Sequence, residues 1–215
     1  MTDTPTIEEP DLPPPRRIPW RYALIALPLV VAGLVFWWGY NRSQPHQFSG
    51  AVIQGAAAAP DFTLDSDRGP VSLSDYEGKL VMMYFGYTFC PDVCPTTLSD
   101  IATALEMLDD DEAEQVQLIM VTIDPARDDA ARMGDYVRHF DENFVGLSGS
   151  DEEIGSVATL YGIYYRAGEG TEATGYLMEH TATVLVVDRA GNVKVVIPFG
   201  VEPEGIAADL EYMLR

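Results

Sequence analysis

The two cysteines, Cys90 and Cys94, constrain this chain most, because they are its only ones and lie four positions apart. They follow an apolar run over residues 80–87 and precede residues 96–108, where apolar side chains recur at spacings of three and four. The run predicts a strand buried on both faces, and the spacing predicts a helix. Two soft sulfur ligands at a strand-to-helix junction indicate redox chemistry or metal chemistry.

The chain beyond Asp61 alternates strand-like and helix-like patterns. Strands are predicted over 62–64, 71–73, 80–87, 116–123, 144–147, 181–187 and 193–198, and helices over 96–108, 128–140, 151–161 and 203–214. Residues 164–179 are rich in glycine and are predicted to be irregular. This order predicts an α/β fold in which helices flank a central mixed sheet. With a cysteine pair at the first strand-to-helix turn, it predicts a thioredoxin-like fold.

Acidic residues outnumber Lys and Arg by 34 to 13, which gives a net charge of −21. Residues 1–48 hold four acidic and four basic side chains, so the whole surplus belongs to the rest of the chain. Such a field repels phosphate backbones, argues against a nucleic-acid partner and favours cations or basic protein surfaces. A solvated acidic surface that keeps the domain soluble is the plainer interpretation.

The N-terminal region predicts a membrane anchor. Residues 1–19 are polar and rich in proline, as in a disordered tail, and residues 22–40 then run without a charge. At 1.5 Å per residue this run is about 28 Å long, close to the roughly 30 Å of a bilayer's hydrocarbon core. We predict a disordered cytoplasmic tail over 1–19, a transmembrane helix over 20–40, a linker over 41–60 and the thioredoxin-like domain over 61–215.

The arginines around this segment predict its orientation. Arg16, Arg17 and Arg21 precede the apolar run and Arg42 follows it, so the positive-inside rule places the N-terminus in the cytoplasm. The bulky residues 36–40 make a poor cleavage site for a signal peptidase. We expect a single-pass protein of the inner (cytoplasmic) membrane, held in the lipid bilayer by the anchor, with its domain in the periplasm.

The spacing of the cysteines bears on their chemistry. Pro95 suits the first turn of a helix, which places Cys94 at the helix N-terminus, where the dipole favours thiolate over thiol. Thiol–disulfide oxidoreductases usually carry two residues between their cysteines, whereas residues 91–93 intervene here. The wider loop can spread both sulfurs around one ion.

Three other roles for the pair stay open. A structural disulfide would close a loop of five residues and stabilise the fold by only about 2 kcal/mol. Two buried inert thiols would not need a turn that contains Pro91 and Asp92. A plain reductase would use Cys90 and Cys94 as its redox-active pair.

Histidine would supply a third ligand, and the chain has three. His46 lies in the predicted linker, and His139 lies near the end of an amphipathic helix, where a solvated imidazole is expected. His180 ends the glycine-rich segment and opens a predicted strand. Taken alone, a histidine in such a place is more often a structural side chain than a ligand.

Three segments together resemble the Sco (SenC) family of cytochrome c oxidase assembly proteins. They are residues 86–95 (GYTFCPDVCP), 121–128 (VTIDPARD) and 179–181 (EHT). The resemblance covers about residues 60–215, and the predicted membrane anchor fits it. Glu179 stands where the family usually has aspartate, a difference that leaves the cysteines and the histidine in place.

This resemblance implies that Cys90, Cys94 and His180 bind one copper ion per chain, as Cu(I), Cu(II) or both. The donor chemistry agrees, because two thiolates and an imidazole are soft and few, which suits Cu(I). Zinc could use the same ligands but would want a fourth to complete a tetrahedron. Met178, close to His180, is the one methionine that could add a weak sulfur donor. Asp124 is expected to end a strand and cap the next helix rather than bind metal.

The first hypothesis is therefore a copper metallochaperone, rather than an enzyme, that delivers copper to the dinuclear copper centre of cytochrome c oxidase during assembly. A histidine on a glycine-rich loop, facing cysteines on a rigid turn, would let the site open for transfer. The expected partners are the copper-accepting oxidase subunit and another copper chaperone or a thioredoxin-like reductase. The alternative is an extracytoplasmic thiol–disulfide reductase that keeps the oxidase cysteines reduced. A redox or copper sensor shares the same site and differs only in its partners.

Overall fold

A computed structural model describes three stretches of the chain: residues 21–42, 45–169 and 175–215. They fall into two units that divide between His46 and Gln47, and the first unit contributes helix α1, Arg21–Arg42. No helix of the described residues meets the length and mean hydropathy expected of a membrane-crossing segment. The anchor over 20–40 stays a prediction, and the tail over 1–19 lies outside the described residues.

The second unit, from Gln47 onward, holds the other elements of the described chain. Its strands are β1 Ala51–Ala58, β2 Thr63–Ser66, β3 Gly69–Ser72, β4 Leu80–Gly86, β5 Val116–Thr122, β6 Val145–Leu147, β7 Tyr165–Ala167, β8 Met178–His180, β9 Thr183–Val187 and β10 Asn192–Pro198. Its helices are α2 Val93–Glu106, α3 Asp110–Ala113, α4 Ala130–Arg138, α5 Asp151–Leu160 and α6 Pro203–Leu214, and a 3-10 turn covers Leu73–Tyr76.

Within the described residues, six strands form a central sheet in the order β1-β10-β9-β4-β5-β6. The strands β4, β5 and β6 run parallel, whereas β9, β10 and β1 add to β4 in antiparallel pairs. Helix α6 packs against β4, and α4 packs against β5 and β6. This mixed sheet with its helices confirms the predicted thioredoxin-like α/β fold.

The two central parallel strands follow the prediction closely. Both end one residue before their predicted ends, and all seven residues of each are buried. Their register pairs Leu80 with Val116 and Gly86 with Thr122, so the two strands end at the same edge of the sheet. Just past that edge, the Ile123 amide donates to the Gly86 carbonyl at 2.9 Å. The residues that follow β4 and β5 are therefore brought together.

Three strands fall where the sequence pattern predicts none. The linker prediction over 41–60 is wrong in its second half, because β1 lies there and pairs with β10 at the edge of the sheet. Residues 164–179, predicted to be irregular, contain β7 and the start of β8. His180 ends β8 and does not open β9, which begins at Thr183. Pairing with a neighbouring strand, rather than side-chain pattern, forms these elements.

Two helices begin at residues other than those predicted. Helix α2 begins at Val93, three residues before the predicted start, and therefore includes Cys94. Helix α4 has Asp129 as its N-cap, because the Asp129 carboxylate accepts a hydrogen bond from the Arg132 amide at 2.8 Å. The expectation that Asp124 caps this helix is therefore wrong.

Candidate metal centre

The two cysteines lie on the connection between β4 and α2, here called the thiol turn (residues 87–94). Cys90 precedes the helix and is half-buried, whereas Cys94 is the second helical residue and is fully buried. The Cys94 amide donates a hydrogen bond to the Cys90 sulfur at 3.3 Å. This amide is one of the helix N-terminal donors without a partner inside the helix, so it favours negative charge on that sulfur.

The buried sulfur of Cys94 rests on the end of β4. The Tyr84 hydroxyl donates to it at 3.4 Å. A Cβ atom built on Gly86 would lie 3.0 Å from the same sulfur and 2.8 Å from the Met120 side chain. Real Cβ atoms essentially never show the shorter distance, and the sulfur distance is tighter than most real contacts, so a side chain at position 86 would press on the Cys94 sulfur. Met82, Met83 and Met120 are completely buried, as predicted for core residues.

His180 comes from a different part of the fold, a two-stranded sheet of β7 and β8 that we call the histidine sheet. Tyr165 pairs with His180 in this sheet, and the Thr181 amide donates to the Tyr164 carbonyl at 2.9 Å. The imidazole lies edge-on to the rings of Tyr84 and Tyr87, with centroids 6.3 and 6.1 Å away. The histidine is thereby turned toward the thiol turn.

The orientation of the imidazole leaves one nitrogen facing the sulfurs. Nδ1 lies 3.2 Å from the carbonyl oxygen of Thr181. Because a carbonyl only accepts hydrogen bonds, Nδ1 is the donor, and the neutral ring then has its lone pair on Nε2. That Nε2 lies 3.9 Å from the Cys94 sulfur.

Cys90, Cys94 and His180 thus converge, with one donor atom from each within 4.8 Å of the others. Across the described ranges, no other cluster of at least three cysteine, histidine or acidic side chains has this spacing. His139 is exposed at the C-terminal end of α4, and His46 precedes β1; neither belongs to the cluster. The structure therefore brings together the three ligands that the sequence predicts, while Met178 stays a prediction as an additional donor.

The two thiols have opposite electrostatic environments. The hydrogen bond from the Cys94 thiol, helped by His180 and by the Cys94 and Asp92 amides, lowers the pKa of Cys90 to about 4, although burial opposes this. The neighbouring Cys90 sulfur, together with burial, raises the pKa of Cys94. In the metal-free site the thiolate is therefore on Cys90, not on Cys94 as the helix-dipole argument predicts. The site pairs an accessible thiolate with a buried thiol.

The residues that support the two cysteines and the histidine are not evident from the sequence. Tyr84, Gly86 and Tyr87 belong to an apolar run whose pattern indicates only a buried strand. The ring contacts of Tyr84 and Tyr87 with His180 depend on β8, which comes about ninety residues later and whose pattern does not predict a strand. The close approach of Gly86 and the Tyr84 hydroxyl to the Cys94 sulfur depends on how β4 and α2 pack. A glycine at the end of a buried strand is a weak signal of close packing.

These features define a class of protein: a thioredoxin-like domain with two thiols and one imidazole gathered at the edge where its parallel strands end. Comparison with known proteins identifies the family within this class. A family model described as SCO1/SenC matches residues 51–215. The chain therefore belongs to the SCO1/SenC family.

Individual relatives agree with this assignment. The chain is 33% identical over 178 residues to the "Protein SCO2 homolog, mitochondrial" of Mus musculus, covering 80% of this chain and 70% of that protein. The solution structure of apo Sco1 from Thermus thermophilus superposes with a TM-score of 0.69 at 36% identity, covering 78% of this chain and 97% of that one. The structure of Bradyrhizobium japonicum ScoI with copper bound gives 0.66 at 37% identity, covering 73% and 99%.

Proposed function

We propose that this protein is a copper metallochaperone that binds one copper ion through Cys90, Cys94 and His180 and delivers it to the dinuclear copper centre of cytochrome c oxidase. The observation that carries the proposal is the convergence of these three donor atoms within 4.8 Å of one another. The copper-bound relative from Bradyrhizobium japonicum and the family resemblance to oxidase assembly proteins support it.

The donor set fits copper better than other common metals. Two sulfurs and one imidazole nitrogen are soft ligands, and thiolates select Cu(I) over hard cations. A structural zinc site would want a fourth ligand, and the described residues offer no fourth histidine, cysteine or carboxylate in the cluster. Cys90 needs little further deprotonation to bind a metal, since its pKa is lowered to about 4. The residue that must lose a proton on metal binding is Cys94.

The proposal includes a cellular location that rests on the sequence. Residues 20–40 would anchor the chain in the inner membrane, and the arginines on either side would orient the domain toward the periplasm. In that compartment the domain can meet the copper-accepting subunit of the oxidase. The acidic surplus would favour a basic surface on such a partner.

An anaerobic titration of the full chain with Cu(I), against a competing chelator, tests the proposal. The wild type should bind one ion per chain, whereas Cys90→Ser, Cys94→Ser and His180→Ala should each weaken binding at least about a hundredfold. Binding free energies of protein metal sites are on the order of 10 kcal/mol, of which each of three ligands supplies a substantial share. His139→Ala is the matched control, and a titration in which His180→Ala equals it would reject the ligand assignment.

A second function, thiol–disulfide exchange, is favoured by the unequal accessibility of the two sulfurs. The half-buried Cys90 thiolate would attack a partner's disulfide and form a mixed disulfide, releasing one partner thiolate. Cys94 would then give up its proton, attack Cys90 and release the second partner thiol. Two electrons pass to the partner, and the Cys90–Cys94 disulfide is the oxidised product. His180→Ala separates the functions, because it should weaken copper binding at least about a hundredfold and spare turnover with a disulfide substrate.

A further inference from the structure

The loop after β5 holds an arginine between the two halves of the metal centre. Arg127 donates through Nε to the carboxylate of Asp124, which is buried. It also donates through Nη1 to the backbone carbonyl of Tyr176 at 3.0 Å. One guanidinium group therefore joins the end of a central strand to the chain that leads into β8.

Aromatic rings hold this guanidinium group on both sides of the junction. Its carbon lies 3.7 Å from the ring centroid of Tyr176 and 4.7 Å from that of Phe89. Phe89 directly precedes Cys90, and Tyr176 lies four residues before His180. The arginine thus contacts the thiol turn through one ring and the histidine-bearing segment through the other, as cation–π pairs do.

Tyr176 closes the network, because its hydroxyl donates to the second carboxylate oxygen of Asp124 at 2.7 Å. Asp124 therefore accepts from both Arg127 and Tyr176, and all three groups must stay in place to satisfy its buried charge. The histidine sheet itself offers little such support. In β8, Glu179 is exposed and only Met178 and His180 are half-buried.

One atom of the arginine indicates that stability alone does not explain this arrangement. Nη2 of Arg127 is buried and has no hydrogen-bond partner among the described residues. A buried donor without a partner costs free energy, and such costs are commonly tolerated where a site requires a particular geometry.

We propose that Arg127 is a positioning residue for His180, acting with Asp124 and Tyr176 to hold residues 175–180 against the thiol turn. Its effect on metal binding rests on the proposed copper function, but its effect on the position of the histidine does not. Without the arginine, the segment should leave the thiol turn more often, and the imidazole should be available to the ion for a smaller fraction of the time. A metal ion that uses His180 would then bind less tightly.

Hydrogen–deuterium exchange of the metal-free full chain tests the positioning role. Arg127→Gln should speed exchange over residues 175–181 about tenfold or more, since bonds to a charged group are lost. Tyr176→Phe should speed it less, because only the hydroxyl bond to Asp124 is lost. Arg132→Gln is the matched control: Arg132 also lies over Phe89, with its guanidinium carbon 5.0 Å from the ring centroid, but the structure gives it no bond to Asp124 or Tyr176. Unchanged exchange in Arg127→Gln, an equal increase in Arg132→Gln, or an increase spread equally over β4 and β5 would overturn the proposal.

Cu(I) titrations extend the test to metal binding. They compare the wild type, Arg127→Gln, His180→Ala and the variant that carries both substitutions. Arg127→Gln should lower affinity about tenfold in the wild-type background, in proportion to the lost hydrogen bonds, and should have no effect in the His180→Ala background. An equal loss in both backgrounds would mean that Arg127 acts on the thiol turn instead, which would overturn the proposal. If the wild type binds no copper, the metallochaperone function fails while the exchange measurement still decides the role of Arg127.

Discussion

The thiol turn and the histidine sheet contribute side chains to the same cluster of two cysteines and one histidine, yet the fold supports these two regions very differently. The thiol turn joins β4, which is buried throughout, to α2, whose Leu98 and Ile101 are completely buried. The histidine sheet has three-residue strands, and Arg166, Ala167 and Glu179 are exposed. Local openings occur most readily where few apolar contacts would be lost. The fold thus fixes the two cysteines through its core and the histidine through a few hydrogen bonds and ring contacts.

The largest difference should appear when the same side chain is truncated in both regions. Leu98→Ala should lower the free energy of unfolding by about 2–5 kcal/mol, because it leaves a cavity in the hydrophobic core against which α2 packs. Leu177, which precedes β8, is 43% exposed, and Leu177→Ala should cost less than about 1 kcal/mol. Urea unfolding measures both values. Similar losses in the two variants would mean that the histidine sheet is as deeply integrated as β4.

The pH dependence of thiol reactivity should come from the thiol turn more than from the histidine. Because the pKa of Cys90 is lowered to about 4, its alkylation by iodoacetamide should vary little between about pH 5 and 8. A cysteine with an ordinary pKa near 8.5 would slow about a hundredfold between pH 8 and 6. Cys94→Ala should restore much of that slope and His180→Ala less, because the Cys94 hydrogen bond is the larger cause. The reverse order would assign control of the thiolate to the histidine sheet.

The same lowered pKa affects folding stability with a definite sign. The native state favours the Cys90 thiolate, so this contribution is fully present above the unfolded pKa near 8.5 and is lost as the pH falls through about 4. Urea unfolding across this pH range gives the free energy of unfolding of the wild type and of Cys90→Ser. The wild-type value minus the variant value should become more positive as the pH rises. A difference that falls with rising pH would contradict the assignment of the thiolate.

A glycine pair tests how closely the thiol turn is packed. Gly86→Ala should destabilise the protein by about 1–3 kcal/mol, because the new methyl group would displace the Cys94 sulfur or the Tyr84 ring. Gly155→Ala in α5 meets nothing closer than the Tyr165 hydroxyl at 3.5 Å and should stabilise the helix by about 0.5–1 kcal/mol. Thermal unfolding measures both changes. A neutral Gly86→Ala would indicate that the buried sulfur has room to move.

The smallest effect should come from the ion pair on the histidine sheet. Arg166 and Glu179 pair at 2.7 Å, but both side chains are more than half exposed. Exposed pairs of this kind contribute less than about 1 kcal/mol, so Glu179→Gln should leave the unfolding free energy nearly unchanged. Glu179→Asp supplies the residue usual in the family and is the matched variant. A large loss in either would make this pair a main support of the sheet.

The same contrast explains how far the sequence predicts this fold. Residues 80–87 and 116–123 are long apolar runs whose burial follows from composition alone, so β4 and β5 were predictable almost to the residue. In contrast, β1 contains Gly55 and several alanines, which have low strand propensity, and it forms by pairing with β10. The strands β7 and β8 are too short for a periodic pattern to be recognised.

Some features of the site were also predictable from the sequence, and others were not. Residue type and spacing, with the family resemblance, led to Cys90, Cys94 and His180, because soft ligands are few in this chain. The direction of the thiol asymmetry was not predictable, since it depends on a hydrogen bond between the two sulfurs. The role of Arg127 was not predictable either, because Tyr176 meets it only after folding brings positions about fifty residues apart together.

The fully buried carboxylate of Asp128 holds the thiol turn in place. It accepts hydrogen bonds from the Thr88 amide at 2.9 Å and from the Thr122 hydroxyl at 3.0 Å. The start of the turn is thereby fastened to the end of β5 by folding itself. For the proposed copper ion, the two cysteines on this turn would be preorganised, so little ordering entropy would be lost on binding. For the same reason, release of that ion would leave the turn in the conformation that binds the next one.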